Sequence, residues 1–220
     1  MNMREFKNSI YNEMAGITKA LGNQHRLEIL DLLAQGPAPV EYIAKHTNLT
    51  VGNASQHLQV LKNARLVISE REWKYNYYRL ADQHVFEAWC ALRRLGFSQN
   101  AELKQLIEDF RSKREQLQTI TPGDLIEKMK KDEVIILDVR PEEEYKMAHI
   151  ENAISLPLKE LESRLNEIPD DKEIVVYCRG PFCLMADEAA ELLSKNSFNA
   201  ARLERGFPDW AMQKLPVATV

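Results

Sequence analysis

The segment that most restricts the fold is the run Ile174-Val175-Val176-Tyr177, closed by Cys178 and continued by Arg179-Gly180-Pro181-Phe182-Cys183. Behind it comes Leu184-Met185-Ala186-Asp187-Glu188-Ala189-Ala190-Glu191-Leu192-Leu193, whose apolar spacing is helical. An uninterrupted apolar run of β-branched and aromatic residues reads as a buried strand, and a helix after a short loop supplies its cover. The pattern recurs. Val134 to Leu137 and Ala200 to Leu203 read as short strands, alternating with helical segments over residues 122–130, 141–146, 158–166 and 184–195. Such alternation predicts an α/β unit with a mostly parallel sheet covered by helices.

The first half follows a different period. Ile10, Met14, Ile17 and Leu21 keep helical spacing, as do Leu27, Leu30, Leu33 and Ala34 before Gly36-Pro37 stops the helix. Val40, Ile43, Ala44 and Thr47 mark a third short helix. Ala54, Leu58 and Leu61 mark a fourth, which begins near Thr50 after the tight connection Asn48-Leu49. Then Leu66 to Arg71 and Asn76 to Leu80, rich in β-branched and aromatic residues, flank a polar turn and predict a hairpin. A helix over residues 83–96 follows, and its Val85, Phe86, Trp89, Cys90 and Leu92 form a broad face suited to the core or a partner subunit. The charged segment 99–118, with Leu103, Leu106, Ile107 and Phe110, predicts a connecting helix, and Thr121-Pro122-Gly123 marks the clearest boundary. The expected organisation is therefore a mainly α domain over residues 1–98, a helical connector over 99–118 and the α/β domain over 119–220.

Composition excludes several classes. No apolar stretch approaches the roughly 20 residues of a membrane span, and the start Met-Asn-Met-Arg-Glu lacks the apolar core of a secretory signal. A cytoplasmic protein without a membrane partner is expected. Three cysteines, Cys90, Cys178 and Cys183, cannot build a disulfide framework, so chemistry is favoured over stapling. The net charge of -4 hides an asymmetry: residues 1–118 carry 16 Lys and Arg against 13 Asp and Glu, whereas residues 119–220 carry 13 against 20. A slightly basic first half permits nucleic-acid binding without requiring it.

Two short helices followed by a hairpin are the parts of a winged helix-turn-helix. Its second helix, about Thr50 to Asn63, buries Ala54, Leu58 and Leu61 and turns Asn53, Gln56, His57 and Gln59 outward or sideways. Asn and Gln can pair bidentately with adenine, and Thr50 and Ser55 suit phosphate. Arg71, Lys74 and Arg79 stand where a wing meets backbone phosphates. Leu21-Gly22-Asn23-Gln24-His25-Arg26-Leu27-Glu28-Ile29-Leu30, Ser55-Gln56-His57-Leu58-Gln59-Val60-Leu61, Leu66-Val67 and Tyr77-Tyr78-Arg79-Leu80 together resemble the ArsR-type winged-helix repressors over about residues 10–96. The resemblance implies a homodimer on a palindromic double-stranded operator, with half-sites about one helical turn apart. Where metal sensors of that family commonly carry a cysteine pair, this chain has Val40-Glu41-Tyr42-Ile43-Ala44-Lys45-His46, so no metal site is expected. The wing turn has Trp73-Lys74 in place of the frequent glycine. His25, His46, His57 and His84 read as surface or helix-end residues, and Cys90 as a small buried hydrophobe or a sensing thiol.

In the second half Leu137-Asp138-Val139-Arg140-Pro141 follows a strand, then come Glu144-Tyr145, His149 to Ile154, Leu156-Pro157, Tyr177-Cys178-Arg179-Gly180 and Gly206-Phe207-Pro208-Asp209-Trp210. This order resembles a single-domain rhodanese across about residues 119–216. The resemblance implies that Cys178 takes a sulfane sulfur as a persulfide and passes it to an acceptor, with no cofactor. A thiol between a strand and a helix N-terminus is expected to favour its thiolate. Amides of the loop Arg179, Gly180, Pro181, Phe182, Cys183 and Leu184 can converge on that sulfur, and Arg179 can attract an anionic donor such as thiosulfate. Asp138 and Arg140 are expected to form a supporting ion pair or clamp at a strand end. His149 is expected to fix a turn, and Trp210 to anchor packing.

Many rhodanese loops carry arginine five positions after the cysteine, where this chain has Cys183. A phosphatase loop needs arginine at the next position, which is Leu184, so phosphoryl transfer is not expected. Cys183 is either a packed helix-start residue or a resolving thiol that attacks a Cys178 persulfide. Three functions stay open on this reading. They are a regulator whose rhodanese half carries or senses sulfane sulfur, from thiosulfate or a persulfide, a sulfurtransferase placed or dimerised by its winged helix, and a repressor with an inactive second domain.

Overall fold

The fold comes from a computed structural model that describes residues 1–112, 117–169 and 171–220. Two compact units divide between Leu95 and Gly96. The expected connector therefore groups with the second unit, and its residues 113–116 lie outside the described ones.

In the first unit, α1 (Met3–Leu21) begins earlier than the apolar spacing from Ile10 predicts, because Asn2 and Glu5 form a reciprocal cap. α2 (Gln24–Leu33) is capped by Asn23, α3 (Val40–His46) ends at Thr47, and Asn48 takes a left-handed φ of 52° that turns the chain into α4 (Val51–Asn63). Thr50 caps α4 by accepting from the Asn53 amide at 3.2 Å. Ile29, Leu30, Ile43, Ala54, Leu58 and Leu61 interlock as one core. β1 (Ala38–Pro39) joins the antiparallel pair β2 (Val67–Glu72) and β3 (Tyr75–Leu80) to make the three-stranded wing. α5 (Gln83–Gln99), whose last four residues belong to the second unit, runs three residues beyond its expected end and buries Val85, Phe86, Trp89, Cys90 and Arg93.

In the second unit α6 (Ala101–Ser112) is followed by β4 (Gln118–Ile120), α7 (Pro122–Lys130), β5 (Val134–Asp138) and α8 (Glu142–Met147). Then come β6 (His149–Ile150), β7 (Ile154–Ser155), α9 (Leu158–Leu161) with a 3-10 turn over Glu162–Glu167, and β8 (Glu173–Tyr177). α10 (Met185–Lys195), β9 (Ala200–Leu203), α11 (Phe207–Met212) and β10 (Val217–Ala218) complete it. The main sheet has the order β4-β9-β8-β5-β7 with every pairing parallel, while β6 and β10 form a small antiparallel pair.

The period of two along β8 explains its uninterrupted hydrophobicity. Ile174, Val176 and Cys178 pack with Ala186, Ala189 and Leu193 of α10 on one face, while Val175 and Tyr177 meet Phe207 and Trp210 on the other. The mainly α winged unit and the parallel α/β unit expected from the sequence are both present.

Candidate functional site

Cys178 is the first residue past β8, at the carboxyl edge of a parallel sheet, where open α/β folds place their ligand crevices. The loop folds back through a hydrogen bond from the Cys183 amide to the Gly180 carbonyl at 3.0 Å, and the Cys178 thiol donates to the Cys183 carbonyl at 3.5 Å. The Gly180 and Ala186 amides favour the ionised form of Cys178, and the Met185 and Arg179 amides that of Cys183. A nest of amides therefore serves both sulfurs, reaching beyond the 179–184 loop into the first turn of α10.

The charge does not sit where the sequence places it. The Cys178 thiol is pushed well above the ordinary thiol range, first because it donates to Cys183 and then because it is buried. Cys183 is lowered to about 7, chiefly by that Cys178 donor, with the Met185 and Arg179 amides and the Arg179 charge adding to it. The helix-dipole expectation for Cys178 is corrected accordingly. The amide from α10 does reach the sulfur, but burial and the neighbouring thiol outweigh it. Of the two thiols, Cys183 is therefore the more readily ionised.

Around this loop most charged groups are paired. Asp138 and Arg140 are fully buried and joined at 2.6 Å, and the Tyr177 hydroxyl donates to Asp138 at 2.6 Å. Arg140 also donates to the Ala148 carbonyl at 2.8 Å, which ties the end of β5 to the chain before β6. Arg179 points at the buried carboxylate of Glu144 on α8, at 2.5 Å. Its charge is balanced there, which removes much of the attraction for an anionic donor expected of it. His149 Nδ1–H donates to the Tyr145 carbonyl at 2.9 Å and its ring stacks on the Tyr145 ring, and Trp210 is buried with its indole N–H on the Pro216 carbonyl. Pro181 and Leu184 are half-buried, Gly180 is buried and Phe182 is exposed.

Four further residues shape the loop that sequence reasoning did not single out for it. Arg111 of α6 donates to the Pro181 carbonyl and to Asp187, both at 3.1 Å, and Arg202 of β9 lies 3.3 Å from the same Asp187 oxygen. Phe97 packs on Phe182 with ring centroids 5.7 Å apart. Gly206 is buried so close to the loop that a Cβ there would stand 2.2 Å from the Arg179 carbonyl carbon and 2.3 Å from the Gly180 nitrogen. The sequence signal for Gly206 was its place before Phe207-Pro208; Arg111 gave none beyond a basic residue on a helix.

In the first unit α4 presents Thr50, Asn53, Gln56 and Gln59 to solvent, with Ser55 and His57 half-buried. Gln59 donates its amide to Asn63 at 2.7 Å. The His57 ring lies 5.4 Å from that of His25, and burial, then the charges of His25 and Arg26, lower its pKa. At the wing tip Trp73 takes a left-handed φ of 54° and is 96% exposed, so a turn usually served by glycine is made by a large aromatic. Arg71 and Lys74 are exposed, whereas Arg79 is tied to Glu70 at 2.6 Å. Among the described residues no cluster of His, Cys, Asp and Glu could hold a metal ion.

Comparison with known proteins follows the same division. Residues 23–69 match the model for bacterial regulatory proteins of the arsR family, and residues 121–213 match the rhodanese-like domain. Among solved structures, the homodimeric winged helix-turn-helix DNA-binding domain of Mb0332 from Mycobacterium bovis, a possible ArsR-family transcriptional regulator, is 37% identical. It covers 46% of this chain and 91% of its own, with a TM-score of 0.43. Thiosulfate sulfurtransferase PspE of Escherichia coli is 35% identical over 81 residues, 36% of this chain and 76% of that protein. HTH-type transcriptional regulator Rv0324 of Mycobacterium tuberculosis is 37% identical over 211 residues, 96% of this chain and 92% of that protein. With a relative aligned along nearly its whole length and both halves matched in order, the chain belongs to the ArsR family of bacterial regulatory proteins and carries a rhodanese-like domain as its second half.

Proposed function

We propose that this chain is a cytoplasmic transcriptional repressor that binds a palindromic operator as a homodimer and carries sulfane sulfur on Cys178 as a persulfide. The observation that carries the reading is the joining, in one chain, of an outward polar face on α4 to a thiol loop whose amides surround sulfur. Asn53, Gln56 and Gln59 read base edges, Thr50 and Ser55 contact phosphate, and Arg71 and Lys74 on the wing bind the flanking backbone. The aligned relative is itself an HTH-type transcriptional regulator.

Two chains meet through helices that the first unit leaves uncovered. Phe6, Ile10, Tyr11, Met14 and Ile17 of α1 and Leu92 and Leu95 of α5 are exposed apolar residues, more than a lone monomer usually displays. No helix among the described residues is long and apolar enough to cross a membrane, and no disulfide joins cysteines among them, which fits a reducing compartment.

The pairing of Arg179, the arginine of the loop itself, with Glu144 favours a persulfide donor over the thiosulfate dianion. Arg179 is matched by Glu144, and Arg111 and Arg202 share Asp187. Transfer of one sulfur to Cys178 alters the loop, and the account requires that the loaded and unloaded states differ in operator affinity.

The test uses purified full-length protein with selected operator DNA. Tight binding to one inverted repeat, and a shift in that affinity after polysulfide that is lost in Cys178→Ser, is the expected result. Mobility shifts that polysulfide leaves unchanged in both proteins would defeat the sensing part of the reading.

A further inference from the structure

Carrying sulfane sulfur as a persulfide takes one cysteine, yet the loop holds two thiols. Cys183 stands five residues after Cys178, and the turn closed by the Cys183 N–H on the Gly180 carbonyl sets the Cys183 carbonyl 3.5 Å from the Cys178 sulfur. Cys178 is 4% exposed and Cys183 is half-buried, so the second sulfur lies nearer the solvent side of the loop. The Gly180 and Ala186 amides favour the ionised form of Cys178, and the Arg179 and Met185 amides that of Cys183.

We propose that Cys183 is the resolving nucleophile of a dithiol that reduces sulfane sulfur to hydrogen sulfide, leaving a Cys178–Cys183 disulfide as the lasting record of exposure. The inference rests on Cys178 taking the sulfur, as proposed above.

The chemistry balances without an outside oxidant. The Cys178 thiolate attacks the outer sulfur of a persulfide donor R–S–SH, forming Cys178–S–SH and releasing RS⁻. The Cys183 thiolate then attacks Cys178 Sγ. The bond from Sγ to the outer sulfur breaks, its electron pair leaves with HS⁻, and the disulfide forms. Two thiols have lost two electrons and the sulfane sulfur has gained them. Cys178 gives up its proton as it takes sulfur and the departing RS⁻ carries it away as RSH, while Cys183, the thiol of lowered pKa, supplies the thiolate for the second attack. A small-molecule or protein dithiol returns the pair to its starting state. The loop is thus a single-turnover sulfur reductase unless such a reductant is present.

Fully reduced full-length protein, Cys183→Ser and Cys178→Ser are each given one equivalent of glutathione persulfide, freed of small molecules and analysed by intact mass and peptide mapping. Released sulfide is trapped with monobromobimane. Wild type is expected to lose two hydrogen atoms through a Cys178–Cys183 link and release one sulfide per chain. Cys183→Ser is expected to keep one added sulfur on Cys178 and release none, and Cys178→Ser to do neither.

If wild type keeps the added sulfur as fully as Cys183→Ser and forms no internal disulfide, the resolving role is overturned while the persulfide reading stands. If Cys183→Ser takes up no sulfur although its circular dichroism matches wild type, the persulfide reading fails and this inference fails with it.

Discussion

At the scale of single residues, the loop shows why a sequence can locate a thiol and misjudge its charge. Cys178 between an apolar run and a helix was legible, because both flanking patterns are local. Its protonation was not, since that depends on burial and on a neighbour five positions away whose sulfur turns back toward it. Removing that neighbour's donor gives a direct prediction. Alkylation of Cys183 is expected to rise with pH around a midpoint near 7 in wild type, and Cys178→Ala moves the midpoint upward, because the donor that lowers the pKa of Cys183 is gone. Peptide-resolved iodoacetamide rates from pH 5 to 10 measure this, and an unchanged or lowered midpoint contradicts it. Gly206 supplies a second case. Its φ of -89° is ordinary, so the requirement is space, and an added methyl would press on the backbone at Arg179 and Gly180. Gly206→Ala is expected to cost about 1–3 kcal/mol in urea unfolding, with slower sulfur uptake at Cys178. Wild-type stability and uptake in that variant would refute the contact.

At the scale of elements, long periodic segments were legible and very short ones were not. The helical spacing of Ala54, Leu58 and Leu61 and the apolar run of β8 each carry enough repeats to show their period. β1, β6, β7 and β10 are two residues long, too short for alternation, and α11 carries Pro208, which hides a helix start. The charged segment after α5 read as a connector because its partners are distant in sequence: Arg111 reaches Pro181 and Asp187 some seventy residues later. On the wing, Arg71 and Lys74 are exposed while Arg79 is held by Glu70. Replacing Arg71 or Lys74 by Ala is expected to lower the slope of log affinity against log salt by about 1 each. Arg79→Ala is expected to change it less. Equal losses for all three in salt titrations of operator binding would show that the Glu70 pair opens on DNA.

At the scale of the whole molecule, the charge asymmetry follows the division of labour. The DNA-reading unit lies in the half with excess Lys and Arg, and the half with excess Asp and Glu holds a loop in which each nearby arginine faces a carboxylate. Sequence patterns separated the two domains because each keeps its own period, but a coupling free energy between sites leaves no period to read. The central claim is that sulfur chemistry at Cys178 sets operator affinity. It is tested most directly by titrating one protein sample with glutathione persulfide and reading, at every point, both the modification of Cys178 by mass spectrometry and the dissociation constant for operator DNA by fluorescence anisotropy. The expected result is an operator affinity that changes by about fivefold or more in step with the fraction of Cys178 modified, with Cys178→Ser flat throughout. Complete modification of Cys178 with an unchanged dissociation constant would contradict the claim.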